Sequence, residues 1–215
     1  MNNIFVKLAV GAMVVGTAAM MQAQKIDTKS RQILDAVTAN YKAKKNSYFK
    51  FTFGSGINGQ VNKTETGIYY AEGPKYKLKI MGTEQIFDGN RIYNINDDDK
   101  EVTIAKPNGS DVMFSPTSYL TSYKKDFNAT YSGKRTVNGV NTDYIKLTPV
   151  KANGLKQVNL YVDTANKQLV KLEQHGTNKD VAVIAIKEYK DNQNLASDMF
   201  TFNRQKFQNY VITEL

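Results

Sequence analysis

The sequence predicts a mainly β protein with helical cover: an antiparallel sheet of about ten or eleven strands, an N-terminal helix and one short helix in a later insertion. Three observations predict it. Period-two alternation of apolar and polar residues recurs along most of the chain. Turn pairs such as Asn138-Gly139 and Asn153-Gly154 punctuate it at intervals of roughly ten residues. One stretch ahead of the first strand carries its apolar residues at helical spacing instead. The alternation is clearest from Tyr144 to Asp163. There Ile145 and Leu147, then Val158, Leu160 and Val162, share one face, and Lys146, Asn159 and Tyr161 take the other.

Met1 to Ala23 reads as a cleaved secretory signal. Lys7 supplies the positive n-region, Leu8 to Met21 is apolar, and Met21-Gln22-Ala23 ends on a small residue. What remains, 24–215, is expected to be a single exported domain in the periplasm. The chain has no cysteine, which excludes disulfides, thiolate metal sites, a cysteine nucleophile and a lipobox anchor.

Lys29 to Lys45 forms the predicted helix. Ile33, Leu34, Val37 and Tyr41 make a narrow apolar stripe suited to lying on a sheet. Asp27 or Thr28 can cap its start, and Lys42, Lys44 and Lys45 complement the dipole at its end. Strands are then expected from Tyr48 to Phe53, Lys63 to Ala71, Lys75 to Ile80, Arg91 to Asn96 and Glu101 to Ala105. Gly54 to Gly59, Gly73-Pro74, Asp88-Gly89-Asn90 and the acidic run Asn96 to Lys100 supply the turns. Lys106 to Phe127 interrupts this meander with Val112, Met113 and Phe114 and a short helix from Thr117 to Lys125, which reads equally as an apolar plug or lid over the sheet or as a connecting helix packed into the core. Strands resume at Ala129 to Val137, continue through Tyr144 to Asp163 and a strand marked by Val170 and Leu172, and finish with Val181 to Tyr189. A turn-like segment, Leu195 to Phe202, closes the pattern.

The formal net charge is +9, of which Lys7 in the signal contributes one. The basic residues are spread along the strands without an arginine-rich run or an RNA-binding signature, so no nucleic acid is expected as partner. His175 is the single histidine and sits at a predicted strand end beside Gly176. Asp97-Asp98-Asp99 lacks the glycine and distal glutamate of a calcium loop. No glycine-rich phosphate loop precedes a helix. The reading is a binding protein with no catalytic residues, metal or cofactor.

Tyr144-Ile145-Lys146-Leu147-Thr148-Pro149 followed by Asn153-Gly154-Leu155-Lys156-Gln157-Val158 resembles the LolA family of periplasmic lipoprotein carriers. Gly67-Ile68-Tyr69-Tyr70, Gly73-Pro74-Lys75-Tyr76-Lys77-Leu78 and Phe87-Asp88-Gly89-Asn90-Arg91-Ile92-Tyr93 follow the family's order of strand, proline turn and Asp-Gly hairpin. Lys190-Asp191-Asn192 and Phe200-Thr201-Phe202 resemble its close. The likeness runs from about Lys25 onward. It implies a half-open antiparallel β-barrel with helices across its concave apolar face, holding the acyl chains of lipoproteins between the inner and outer membranes. It also implies three partners: outer-membrane lipoproteins, an inner-membrane ABC lipoprotein-releasing transporter and an outer-membrane acceptor. The carrier itself is expected to be a monomer.

On that reading Phe49, Phe51, Phe53, Ile68 and Tyr70 line the cavity from the first strands, and Tyr76, Leu78, Ile80 and Ile92 from the next. Ile145, Leu147, Val158, Leu160 and Val162 line it from the later hairpin, with Met113, Phe114 and Leu120 as lid. Family members carry a lid-gating arginine directly before the turn proline. Gly73 stands there in this chain, and Arg91 and Arg135 are substitutes only if they point inward. A sensor or scaffold of the same fold, binding a lipid or lipoprotein signal, is the alternative reading. A lipid-modifying enzyme is a third.

Overall fold

The computed structural model describes residues 24–107 and 116–215. The expected signal sequence, and Val112, Met113 and Phe114 of the expected lid, lie outside the described residues.

Helix α1 (Thr28–Lys42) precedes strands β1 (Ser47–Ile57), β2 (Gln60–Glu72), β3 (Lys75–Ile80), β4 (Thr83–Phe87), β5 (Ile92–Asn96) and β6 (Glu101–Ala105). Helix α2 (Ser118–Asp126) leads into β7 (Phe127–Val137), β8 (Val140–Pro149), β9 (Leu155–Asp163), β10 (Gln168–Gly176) and β11 (Asp180–Asp191). A 3₁₀ turn, Arg204–Phe207, and β12 (Val211–Glu214) follow. The strands form one open sheet in the order β12-β6-β5-β4-β3-β2-β1-β11-β10-β9-β8-β7.

Among the described residues twelve strands therefore replace the expected ten or eleven. The addition, β12, pairs in parallel with β6, Val211 opposite Glu101. At four residues it is too short for alternation to announce it. The turn expected over Gly54 to Gly59 is narrower. β1 runs on to Ile57, and the chain reverses at Asn58-Gly59, both at positive φ (56° and 77°), as a two-residue hairpin requires.

Asp27 caps α1, accepting from Ser30 N at 2.8 Å and Ser30 Oγ at 2.9 Å. The same carboxylate accepts from Tyr131 N at 2.6 Å, which fixes the helix start to β7. Ile33, Leu34 and Val37 are buried, as the stripe predicts. Tyr119, Leu120 and Tyr123 of α2 join them against Phe127, Ala129, Ile145, Leu147, Val158, Leu160, Val162, Leu169 and Leu172. Both helices thus lie on the β7–β10 half of the sheet. We call this helix-bearing side the inner face.

Residues opposite one another across a ladder share a face, so the register assigns every strand. Phe49 pairs with Tyr69 and Tyr189, Phe51 with Gly67 and Ile186, and Tyr69 with Leu78. All are inner. Ile68 pairs with Lys50 and Lys79, and Tyr70 with Tyr48 and Lys77, on the outer face. Ile68 and Tyr70 are therefore corrections to the expected lining. Three consecutive apolar residues cannot all face one way, and Tyr69 takes the inner position. Val170 also departs from expectation. The β9–β10 register slips between Leu169 and Lys171, so Leu169 and Leu172 both point inward and Val170 does not pair.

The outer face is not simply wet. Ile86, Ile95, Val102 and Ile104 cluster there beneath Phe202, Phe207, Tyr210 and Ile212. Phe202 stacks on Tyr93 at 4.7 Å and on Phe207 at 5.2 Å. On β8–β10 the expected solvent side is a polar network. Tyr144 stacks on Tyr161 at 5.0 Å and donates to buried Asn159 at 3.0 Å. Asn159 and Tyr161 donate in turn to Glu173 at 2.8 and 3.0 Å.

Candidate functional site

The inner face holds two apolar clusters. The first lies beneath the helices, as above. The second joins Phe49, Phe51, Tyr69, Tyr76, Leu78, Ile80 and Ile184, with Tyr41 of α1 packed against it. Tyr41 is the bridge. Its ring meets Phe49 at 5.6 Å and Tyr189 at 5.4 Å, and its hydroxyl accepts from Leu169 N at 2.8 Å. The slip after Leu169 frees that N–H from the ladder. Burial pushes the Tyr41 phenol well above its ordinary pKa. Burial likewise raises Tyr119 to about 12, so these phenols present neutral surfaces.

Where the C-terminal end of α1 meets the start of α2 and the edge of this cluster, a pocket of about 250 Å³ opens. Tyr41, Phe49, Ala71 and Leu120 give it apolar walls. Thr38, Thr117 and Thr121 of the helices flank it, and Lys42, Lys44, Lys45 and Gly73 stand around its mouth. Gly73 has φ +56° and no atom within 4 Å of where a Cβ would lie. The left-handed backbone suits glycine and strains an arginine in its place. Arg91 and Arg135 do not replace it. Arg91 reaches Glu214 at 3.4 Å, and Arg135 lies over the outer-face Tyr144 ring at 5.2 Å.

Two other hollows, of about 320 and 670 Å³, lie at the hairpin tips of β1–β2, β8–β9 and β10–β11. The larger is lined by Ser55, Asn153, Gln174, Thr177, Asn178 and Asp180 together with Leu155, Val181 and Ala182. Size does not decide: the smaller pocket, where Tyr41, Phe49 and Leu120 converge between the helices and the sheet, has the aromatic and aliphatic walls that a ligand site uses and is the candidate.

Polar contacts tie the helices to the sheet and to each other: Asn40 Nδ2 donates to Lys167 O at 3.1 Å and Gln24 Nε2 to Tyr123 O at 2.7 Å. Thr38 Oγ1 lies 2.7 Å from Leu34 O and 3.1 Å from Leu120 O. Tyr123 donates to Asp35 at 2.5 Å, and Lys124 pairs with the same oxygen at 2.6 Å. Burial alone raises the Asp35 carboxyl, but these two partners more than offset it and hold it below the ordinary value.

Of the residues expected to line a cavity, Phe49, Phe51, Phe53, Tyr76, Leu78, Ile80 and Ile92 all face inward. Ile145, Leu147, Val158, Leu160 and Val162 face inward too, but they are packed directly against the helices. Phe49 alone of these reaches the pocket, with Leu120 of the expected lid. Tyr41, Ala71 and the three lysines had no place in the expected lining. Tyr41 ends the helical stripe, and that position was the available signal for it. His175 is a half-buried outer-face residue, its Nε2 3.1 Å from Asn159 Nδ2. Among the described residues no three His, Asp or Glu side chains are placed to hold a metal ion.

A family model described as outer membrane lipoprotein carrier protein LolA matches residues 82–203. No curated protein matches the chain. Among solved structures, an uncharacterized conserved protein from Thermus thermophilus is similar, with TM-score 0.62 and 11% identity over 87% of this chain and 99% of that one. A putative outer membrane lipoprotein-sorting protein domain from Vibrio parahaemolyticus gives TM-score 0.44 and 11% identity over 79% and 95%. A LolA superfamily protein from Nitrosomonas europaea gives 0.42 and 10% over 80% and 97%.

Proposed function

Because the chain belongs to the family of the outer membrane lipoprotein carrier protein LolA, we propose that it is a periplasmic carrier that shields the acyl chains of lipoproteins on their way to the outer membrane. One observation carries this reading: two helices lie on the apolar inner face of an open sheet, and a pocket with apolar walls opens at the junction of the two.

The physics supports it. A chain of ~15 methylenes left in water costs on the order of 12 kcal/mol, at ~0.8 kcal/mol per CH₂. A carrier must offer apolar surface that its own side chains do not fully occupy. Here the sheet is one continuous unit, whereas α2 is held to α1 by the Thr38 and Asp35 contacts. At about 250 Å³ the pocket lies at the small end for ligand sites, so loading requires the helices to move outward. On this reading Ile145, Leu147, Val158, Leu160 and Val162, now packed beneath the helices, are bared as they do so, and Phe51, Phe53, Tyr76, Leu78 and Ile80 extend the lining beside them. The inward-facing Ile92, Ile145, Leu147, Val158, Leu160 and Val162 form the floor, with Leu120, Met113 and Phe114 as lid. Cargo would arrive from an inner-membrane ABC transporter and leave to an outer-membrane acceptor, with the carrier acting as a monomer and without catalysis.

The test incubates the purified protein with inner-membrane vesicles that hold labelled lipoproteins and the releasing transporter. Lipoprotein in the soluble fraction, bound one to one, is the expected result. Vesicles that retain all their lipoprotein beside a folded carrier would overturn the proposal.

A further inference from the structure

The pocket has a second property that acyl chains do not require. Three of its lining residues, Lys42, Lys44 and Lys45, are cations, and no Asp or Glu is among the described residues that line it. Lys44 is held by Asp191 at 3.0 Å. Lys42 and Lys45 are exposed and have no carboxylate partner among the described residues. The end of a helix carries about half a negative charge, which one lysine suffices to complement. Lys42 and Lys45 stand exposed at the mouth, whereas Phe49 and Leu120 within are 1% and 3% exposed, with the buried Asn46 and Ser47 beside Phe49. The pocket is thus graded from cationic rim to apolar wall, as an anionic amphiphile is graded from head to tail.

Volume limits the tail. At ~30 Å³ for each small group, 250 Å³ accepts roughly eight methylenes, part of one acyl chain. We propose that this pocket binds a single-chain end of an amphiphile with an anionic head, carboxylate or phosphate, and that Lys42 and Lys45 hold the head. The inference rests on the pocket taking an acyl chain. It does not rest on that chain belonging to a lipoprotein.

The experiment measures binding of oleate, of phosphatidylglycerol in detergent-free dispersion and of methyl oleate to the full mature protein and to the double variant Lys42→Gln/Lys45→Gln. Both side chains are solvent-exposed, and circular dichroism checks the fold of the variant. Oleate, phosphatidylglycerol or both should bind and weaken about tenfold in the variant, the scale of a lost charge-assisted contact. Methyl oleate should be unaffected by the substitutions. Loss confined to oleate assigns the carboxylate of a free fatty acid, and loss confined to phosphatidylglycerol assigns a lipid phosphate. If methyl oleate binds the native protein as tightly as oleate, or the variant keeps full affinity for both anions, head selection is overturned and the acyl pocket stands. If none of the three binds, the acyl pocket falls and this inference with it.

Discussion

Gly67 shows how single positions shape the inner face. A Cβ there would lie 2.4 Å from Phe51 Cζ, because the far end of the Phe51 ring lies over the glycine on the neighbouring strand. Gly67→Ala must push Phe51 off its site, and overpacking of this kind costs about 1–3 kcal/mol. Urea unfolding should show a lower midpoint with unchanged slope. A variant as stable as the native protein would mean the ring has room to move. Asp143 is a different case, buried on the inner face at 4% exposure. Burial raises its carboxyl, but donors Thr164 and Tyr131 and the charge of Lys134 more than offset that and hold it below the ordinary value. Asp27 and Asp88 are lowered too, with backbone N–H groups outweighing burial. A carboxyl lowered in the folded state binds protons more readily when unfolded. Its stabilisation is complete above the unfolded value, about 4, and fades as pH falls through the folded one. Stability should therefore drop steadily below about pH 4.5, and Asp143→Asn should lower stability at pH 7 by roughly 1–3 kcal/mol while making the acid loss shallower. Denaturant titrations from pH 7 to 2.5 measure both, and an unchanged acid slope would remove Asp143 from the account. Period two made most inner residues legible, from Phe49 to Val162. It failed at Ile68-Tyr69-Tyr70, where a triplet of apolar residues offers no alternation, and at Val170, where the register slips.

Elements were legible where they are long. The stripe from Ile33 to Tyr41 gave α1, and Asp27 marked its start. The chain beyond Phe202 was not legible, because β12 is four residues long and its role is set by what it covers. Phe202, Phe207 and Tyr210 lie over Ile86, Ile95, Val102 and Ile104 on the outer face, and β12 also closes the β6 edge. Deleting residues 201–215 should bare a contiguous apolar patch and an unpaired edge, both aggregation hazards. Strong binding of a hydrophobic dye and concentration-dependent aggregation are expected. A monomeric, dye-silent truncation would show that the segment is dispensable. The two helices invite a kinetic prediction. Asp35 ties α1 to Tyr123 and Lys124 of α2 from a position that is nearly half exposed. The Lys124 pair contributes about 0–1 kcal/mol, but Tyr123 is fully buried, so Asp35→Ala, which removes the acceptor of its hydroxyl, should cost about 1–3 kcal/mol. It should also loosen α2, so that a fluorescent fatty acid enters and leaves several-fold faster in stopped-flow mixing. Equal rates would place the moving part elsewhere.

At the scale of the molecule, the decisive contact is the one local pattern cannot show. β1 pairs with β11 over its whole length, so that Phe49 lies opposite Tyr189 and the early and late halves become one sheet. Alternation gives each strand two faces and cannot say which distant strand comes to lie beside it. The pocket depends on that join, because Tyr41 packs between Phe49 and Tyr189. Site and fold are therefore coupled, and a ligand there should stabilise the whole protein. At a hundredfold excess over its dissociation constant, a ligand bound only to the folded state adds about 2.7 kcal/mol. For a chain of this size each kcal/mol moves the melting temperature by about 2–4 °C, so oleate should raise it by roughly 5–11 °C. Thr121→Trp provides the control. Thr121 is an exposed residue of α2 beside the pocket, its hydroxyl bonded to Ser118 O within the same helix. The indole should fill the mouth, leave the ligand-free melting temperature within about 2 °C, and abolish the oleate shift. A shift that survives the tryptophan would move the binding site to the hairpin-tip hollows or the outer face, and would separate the ligand from the coupling between the two halves of the sheet.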